Sequence, residues 1–113
     1  MSSDQVVVHP ASLLAQVAFD RRELMVILDV YSRFVAAGVG KDYAIDHLRD
    51  VAVFSIFRRA AETPMFRIEK RPKDVRRQGA YSVVGMDGRV LKRGQDLKTV
   101  LKILERKLIK AVD

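Results

Sequence analysis

The chain has no cysteine in its 113 residues. That absence excludes disulfides, thiolate nucleophiles and cysteine-based zinc sites together. It also fits a reducing compartment, so a cytoplasmic location is expected. Histidine is scarce, with only His9 and His47. Two histidines without an HExxH helix make a poor metal site. Neither GxxxxGK[ST] nor GxGxxG occurs, and "GMDG" at 85–88 reads as a turn rather than a nucleotide loop. No apolar run approaches the length of a bilayer-spanning helix. Residues 1–19 place no basic residue ahead of their apolar ones, and His9, Pro10, Ser12 and Gln16 break the run, unlike a signal peptide. Internal repeats and low-complexity tracts are also missing. No cofactor, metal, membrane or small-molecule substrate is expected. An enzyme would have to be built from His47, oriented by Asp46 or Asp50, with Ser55 as nucleophile. Residues of those types occur near one another by chance, so a non-enzymatic protein is the expectation.

What is abundant is positive charge. Lys and Arg total 21 against 14 Asp and Glu, a formal net charge of +7, with a pI near 10.1. Such a field draws polyanions, and DNA or RNA is the expected partner. Between Arg67 and Arg77 lie six basic residues, Arg67, Lys70, Arg71, Lys73, Arg76 and Arg77, against Glu69 and Asp74, for a local +4. Arg58 and Arg59 end the preceding strand, and Lys92 and Arg93 end the last one. Lys98 and Lys102 begin a basic ridge that continues through Arg106 and Lys110. Clustered Lys and Arg contact phosphates with little sequence preference, Arg by a two-pronged fork. A mobile solvated crossing would have the same composition. Tyr81 and Phe66 flank the stretch but read as core rather than as stacking platforms.

The length allows one domain that can bury a core without staples. Residues 1–15 read as a flexible arm, with a short extended piece at Val6 to Val8, and residues 16–113 as a single α+β domain. Asp20 and Glu23 form a capping box ahead of a helix that Gly38 ends. Its core face is Leu24, Ile27, Leu28, Tyr31, Phe34 and Val35, an arc of about 120°. Tyr43 to Leu48 alternates as a strand, with a short helix at 42–49 as the alternative. Strands follow at Val51 to Arg58 and Met65 to Lys70. The segment "AYSVVGMDGRVLKRG" is a hairpin, with Asp87-Gly88 as a two-residue turn. A last helix runs from Gln95 or Asp96 to Ala111, with Leu97, Val100, Leu101, Leu104, Leu108 and Ala111 on one side. The expected fold is α+β, an antiparallel meander of four or five strands with an N-terminal and a C-terminal amphipathic helix packed on one face. Helix, strands and helix is also the order of double-stranded-RNA-binding domains, but their Lys-Lys-x-Ala-Lys signature is missing and the strand count is too high.

Some apolar residues fall outside this scheme. Val26 and Val30 lie outside the core arc of the first helix. The strand from Val51 carries Val51, Val53 and Phe57 on the side opposite Ala52, Phe54 and Ile56, so it wants cover on both faces. These five residues are the candidate interface of a homodimer or a protein-interaction module, the alternative to nucleic-acid binding.

The blocks "FDRRELMVILDVYSRFVAAG", "DYAIDHL", "AVFSIFRRA", "FRIEKRP" and "RRQGAYSVVGMDGRVLKRGQDL" resemble an alphaproteobacterial family catalogued as domain-of-unknown-function family 2794. The resemblance covers Phe19 to about Leu108. It implies a bacterial, cytoplasmic, single-domain protein and brings no activity, cofactor or site residues with it.

Overall fold

The computed structural model describes residues 16–59 and 63–112. The arm expected at 1–15, with Val6 to Val8 and His9, lies outside the described residues. Helix α1 spans Arg21–Ala36. Asp20 accepts the Glu23 N–H at 2.8 Å, and Glu23 Oε1 accepts the Asp20 N–H at 2.7 Å. This reciprocal box satisfies two amides that the helix cannot pair itself. At the other end Gly38 turns left-handed, φ +75°. Val39 and Gly40 then both donate to the Phe34 carbonyl at 2.9 Å.

Five strands follow: β1 Asp42–His47, β2 Ala52–Phe57, β3 Phe66–Lys70, β4 Tyr81–Gly85 and β5 Val90–Gly94. They form one antiparallel sheet in the order β1-β2-β3-β4-β5. Residues 42–47 are therefore strand, and the helical alternative does not occur. The Arg49-Asp50 turn is closed by the Leu48 N–H donating to Val51 O at 2.9 Å. The β4–β5 loop differs from the two-residue turn expected. Gly88 donates to Gly85 O at 3.0 Å and Gly85 to Arg89 O at 2.8 Å, with Gly88 at φ +85°. That is a three-residue loop, Met86 to Gly88, whose glycine takes the left-handed position. Val84 then pairs with Val90 and Val83 with Lys92, which leaves Leu91 as the extra residue of a bulge.

The C-terminal helix is not continuous. It breaks at Leu101 into α2, Leu97–Val100, and α3, Lys102–Val112. The Leu104 N–H reaches back three residues to Leu101 O at 3.0 Å, a tightened turn at the junction.

The buried apolar cluster joins Ile27, Val30 and Phe34 with Leu97, Val100, Leu101 and Leu104, and with Ala52, Phe54, Ile56, Ile68 and Val83. The register pairs Phe54 with Ile68 and Ile68 with Val83, so these sheet residues share one face. The core face of α1 is rotated from the expected arc. Val30 is buried, whereas Leu28 and Val35 are exposed. The reason lies in the neighbours. Val30 lines a groove with Leu101 and Glu105, and Arg33 is bonded to Glu105 at 2.5 Å. Tyr31, on the other flank, meets Tyr43 of the edge strand β1 with ring centroids 5.0 Å apart. Among the described residues no further strand beyond β1 covers Leu28 and Val35.

Candidate functional site

The antiparallel ladder sorts the basic residues by sheet end. β2 finishes at the end of the sheet where β1 and β3 begin, so Arg58 and Arg59 lie there, both exposed. β3 and β5 both finish at the opposite end. That end gathers Arg71, Lys73, Arg76, Arg77 and Arg93, with Arg49 from the β1–β2 turn. The three groups expected from sequence thus divide. The crossing after β3 and the end of β5 adjoin, and the Arg58–Arg59 pair stands apart.

The crossing from Arg71 to Ala80 is a built knuckle. The Arg71 N–H donates to Ala80 O at 2.7 Å and closes its base. A 3-10 turn, Pro72–Asp74, starts it. Asp74 O then accepts from Arg77, Gln78 and Gly79 at 3.1, 3.1 and 3.0 Å. Two side-chain bonds tie it to β5 and the residue beyond: Arg93 Nη1 donates to Gln78 Oε1, and Gln95 Nε2 donates to Val75 O. Gly79, at φ +97°, lies against Gly94 so closely that a Cβ would sit 2.3 Å from the Gly94 carbonyl carbon. Arg76 and Arg77 project from the knuckle, exposed. Gln78, Gly79 and Gln95 escaped the sequence reading. Only the glycine carried a signal there, and a lone glycine marks any turn.

Other basic residues already have partners. Lys70 Nζ donates to Ala18 O and to Glu23 Oε1, each at 2.8 Å, and its side chain is only 19% exposed. Glu23 also accepts the Tyr81 hydroxyl. Burial, then the hydrogen bond to Glu23 and its charge, push the Tyr81 phenol well above its ordinary value. This Glu23–Lys70–Tyr81 group ties the first turn of α1 to β3 and β4. Arg67 and Arg71 flank Glu69 at 3.3 and 3.4 Å. Lys73 meets Asp50 at 3.0 Å but stays 81% exposed, and its ammonium holds the Asp50 carboxyl below the usual carboxylate range. Exposed pairs of that kind are weak and exchangeable. The cleft of about 540 Å³ beside the knuckle is lined by Lys70 and Lys73 together with Arg49 and Asp50. Its two lysines are the paired ones.

A second groove, of about 260 Å³, lies between β5 and the C-terminal helices. Lys92, Thr99, Lys102, Ile103 and Arg106 line it, with no carboxylate in the lining. Among the described residues no ion pair engages Lys92, Lys102 or Arg106. Asp96 caps α2. Its carboxylate accepts Thr99 Oγ1 at 2.6 Å and the Thr99 N–H at 3.0 Å. Those bonds, with Lys102 and Lys98 nearby, hold its carboxyl below the ordinary range. Lys98 lines the groove between α1 and α3 with Asp29 and Glu105, and Lys102 borders that groove as well. Because successive side chains of a strand alternate, β5 offers Lys92 to the helix side and Arg93 to the knuckle side.

The five expected interface residues occupy other environments. Val30, Val51 and Val53 are buried within the single chain, Val26 is half-buried against the core, and Phe57 is half-buried. Val30, Val51 and Val53 are thus covered without a second subunit. Val51 and Val53 lie on the sheet face opposite the core, beside the buried Ser55, Glu69 and Ser82. His47 pairs with Ala52 and Ser55 with Ala44, so His47 and Ser55 project from opposite faces and form no dyad. Among the described residues no group of three or more His, Cys, Asp or Glu side chains gathers to hold a metal ion, and no helix is long and apolar enough to cross a membrane.

The family model described as "Protein of unknown function (DUF2794)" matches residues 17–101, so the chain belongs to that family. The match takes in the knuckle and β5 and stops one residue before Lys102. No curated protein and no solved structure matches the chain.

Proposed function

We propose that this member of a family without an assigned activity is a non-enzymatic module that binds the phosphate backbone of nucleic acid along the β5 side of its sheet. Both helices lie on one face of the sheet, a reading supported by the single cluster that joins them to one set of strand residues. The observation that carries the function is the meeting of two basic groups across β5. Arg76, Arg77 and Arg93 stand on the knuckle side, and Lys92, Lys102 and Arg106 line the groove on the helix side. Lys92, Lys102 and Arg106 line this groove without a carboxylate among them, although Lys102 also borders the groove that holds Asp29 and Glu105, and an anion bound there relieves their mutual repulsion. Backbone contact without a base-stacking platform gives binding with little sequence preference. A cytoplasmic location agrees with this reading.

Fluorescence polarisation with a labelled 20-nucleotide single strand tests it. If about five phosphates are neutralised, log Kd rises against log salt with a slope of roughly 3.5. Lys102→Glu with Arg106→Glu should weaken binding at least tenfold and flatten that slope. Arg58→Glu with Arg59→Glu changes net charge equally at the other end of the sheet and should leave binding nearly unchanged. Equal losses from the two pairs, or no salt dependence, would refute a localised site.

A further inference from the structure

Among the described residues the sheet has two edges, β1 and β5, and they are finished differently. β5 carries Lys92 and Arg93 and an irregular register at Val83/Val84, features that discourage another strand from adding to it. β1 pairs with β2 over six residues without a bulge. The Leu48–Val51 hydrogen bond sets the alternation along β1. Asp42, Ala44 and Asp46 turn their N–H and C=O groups toward β2, while Tyr43, Ile45 and His47 turn theirs outward. Part of the exposed apolar surface lies at the same edge: Tyr43 is 44% exposed, Ile45 37%, Leu28 39% and Val35 45%, while Val75, Met86, Val90 and Ile109 are exposed elsewhere. On α1, Leu24, Leu28, Tyr31 and Val35 are spaced 4, 3 and 4 apart, the spacing of a helix–helix seam.

We propose that β1 is the two-fold interface of a homodimer, pairing antiparallel with its own copy about Ile45 to make a ten-stranded sheet. The register follows from charge and length. Side chains directly opposite one another must share a sheet face, so the axis passes through a residue. An axis at Ala44 would set Asp42 against Asp46 twice, and one at Asp46 would set that carboxylate against itself. An axis at Tyr43 pairs only residues 41–45. An axis at Ile45 pairs residues 42–48, placing Tyr43 opposite His47, Ala44 opposite Asp46 and Asp42 opposite Leu48, with no like charges facing. That axis is perpendicular to the sheet, so the two α1 helices lie antiparallel on the same side and their Leu28 and Val35 stripes face each other across the joint. The four exposed side chains present on the order of 300 Å² per protomer, and the paired backbone edge and flanking side chains add to this toward the ~800 Å² of a standard interface. The proposal does not depend on nucleic-acid binding.

Sedimentation velocity of the full chain from about 1 to 100 μM tests it, with amide exchange on the same samples. A dimer should form in this range, and the Tyr43, Ile45 and His47 amides should become protected as concentration rises. Ile45→Arg sets two guanidinium groups together on the axis, and Leu28→Glu charges the helix stripe; each should raise the dimer Kd at least tenfold. Val90→Arg, on the other edge, should leave it unchanged. A monomer throughout the range, dimerisation without protection of those three amides, or equal weakening by Val90→Arg would overturn the proposal. The exchange readout uses the unmodified protein and holds even where a variant fails to fold.

Discussion

Replacing Gly79 by alanine examines whether the basic knuckle is held in place by backbone packing. Two penalties apply. At φ +97° an L-residue is strained by about 1–2 kcal/mol. The added Cβ would also lie 2.3 Å from the Gly94 carbonyl carbon and 2.4 Å from its oxygen. Those are backbone atoms, so no side-chain rotation relieves the contact. The knuckle and the end of β5 must part, at an overpacking cost of about 1–3 kcal/mol, and the Gln78–Arg93 bond lies across the opening. The total is about 2–5 kcal/mol. Gly38 is the control. It shares a positive φ, +75°, but a Cβ there meets nothing within 4 Å, so Gly38→Ala should cost only about 1 kcal/mol. Urea unfolding measures both, and with a domain of this size the thermal midpoints should fall by about 5 °C for Gly38→Ala and about 10 °C or more for Gly79→Ala. Gly79→Ala should also weaken nucleic-acid binding at a temperature where it remains folded, because Arg76, Arg77 and Arg93 are re-aimed. Equal destabilisation by the two substitutions would refute the close approach of Gly79 to Gly94.

Glu23→Ala strands the Lys70 ammonium and the Tyr81 hydroxyl half-buried and removes half of the capping box; a loss of about 3 kcal/mol is expected in urea unfolding. Glu23→Ala with Lys70→Met should recover part of it, and a double cycle without coupling would contradict the ion pair. The raised Tyr81 pKa has a definite sign. The unfolded chain gives up this proton near pH 10 while the folded chain keeps it, so the contribution is complete below pH 10 and is lost as pH rises from there toward the folded value. At pH 11 in the folded protein, Tyr81→Phe should therefore leave the phenolate absorbance unchanged, and a clear drop would show that Tyr81 ionises normally. The paired charge reversals at Lys102–Arg106 and Arg58–Arg59 and the Ile45→Arg dimer test complete the set.

Much of the fold was legible along the chain because it rests on local rules. Asp20, Glu23 and Gly38 bound the first helix by hydrogen bonds within a few residues. Alternation and short turns were enough for a meander of four or five strands. The β4–β5 loop was harder to read, because Asp87-Gly88 serves a two-residue turn and the three-residue one equally well. Charge was countable, and so the basic stretch from Arg67 to Arg77 stood out at once. Its availability could not be counted. Lys70 and Arg76 look alike in sequence, yet one is held by Glu23, 47 positions away, while the other is exposed.

Sequence alone determined the chemistry excluded by zero cysteine, the net charge, the helix caps and the alternation of the strands. These depend on composition and on neighbours within a turn or two. Tertiary structure decided which side of each element is inside and which charges meet. Val30 is core and Leu28 surface because the C-terminal helices flank α1 on one side and, among the described residues, the sheet ends at β1 on the other. Arg93 joins the knuckle and Arg58 does not because the ends of an antiparallel sheet alternate with strand number. Such placements depend on which distant segments become neighbours, a relation set by the packing of the whole chain.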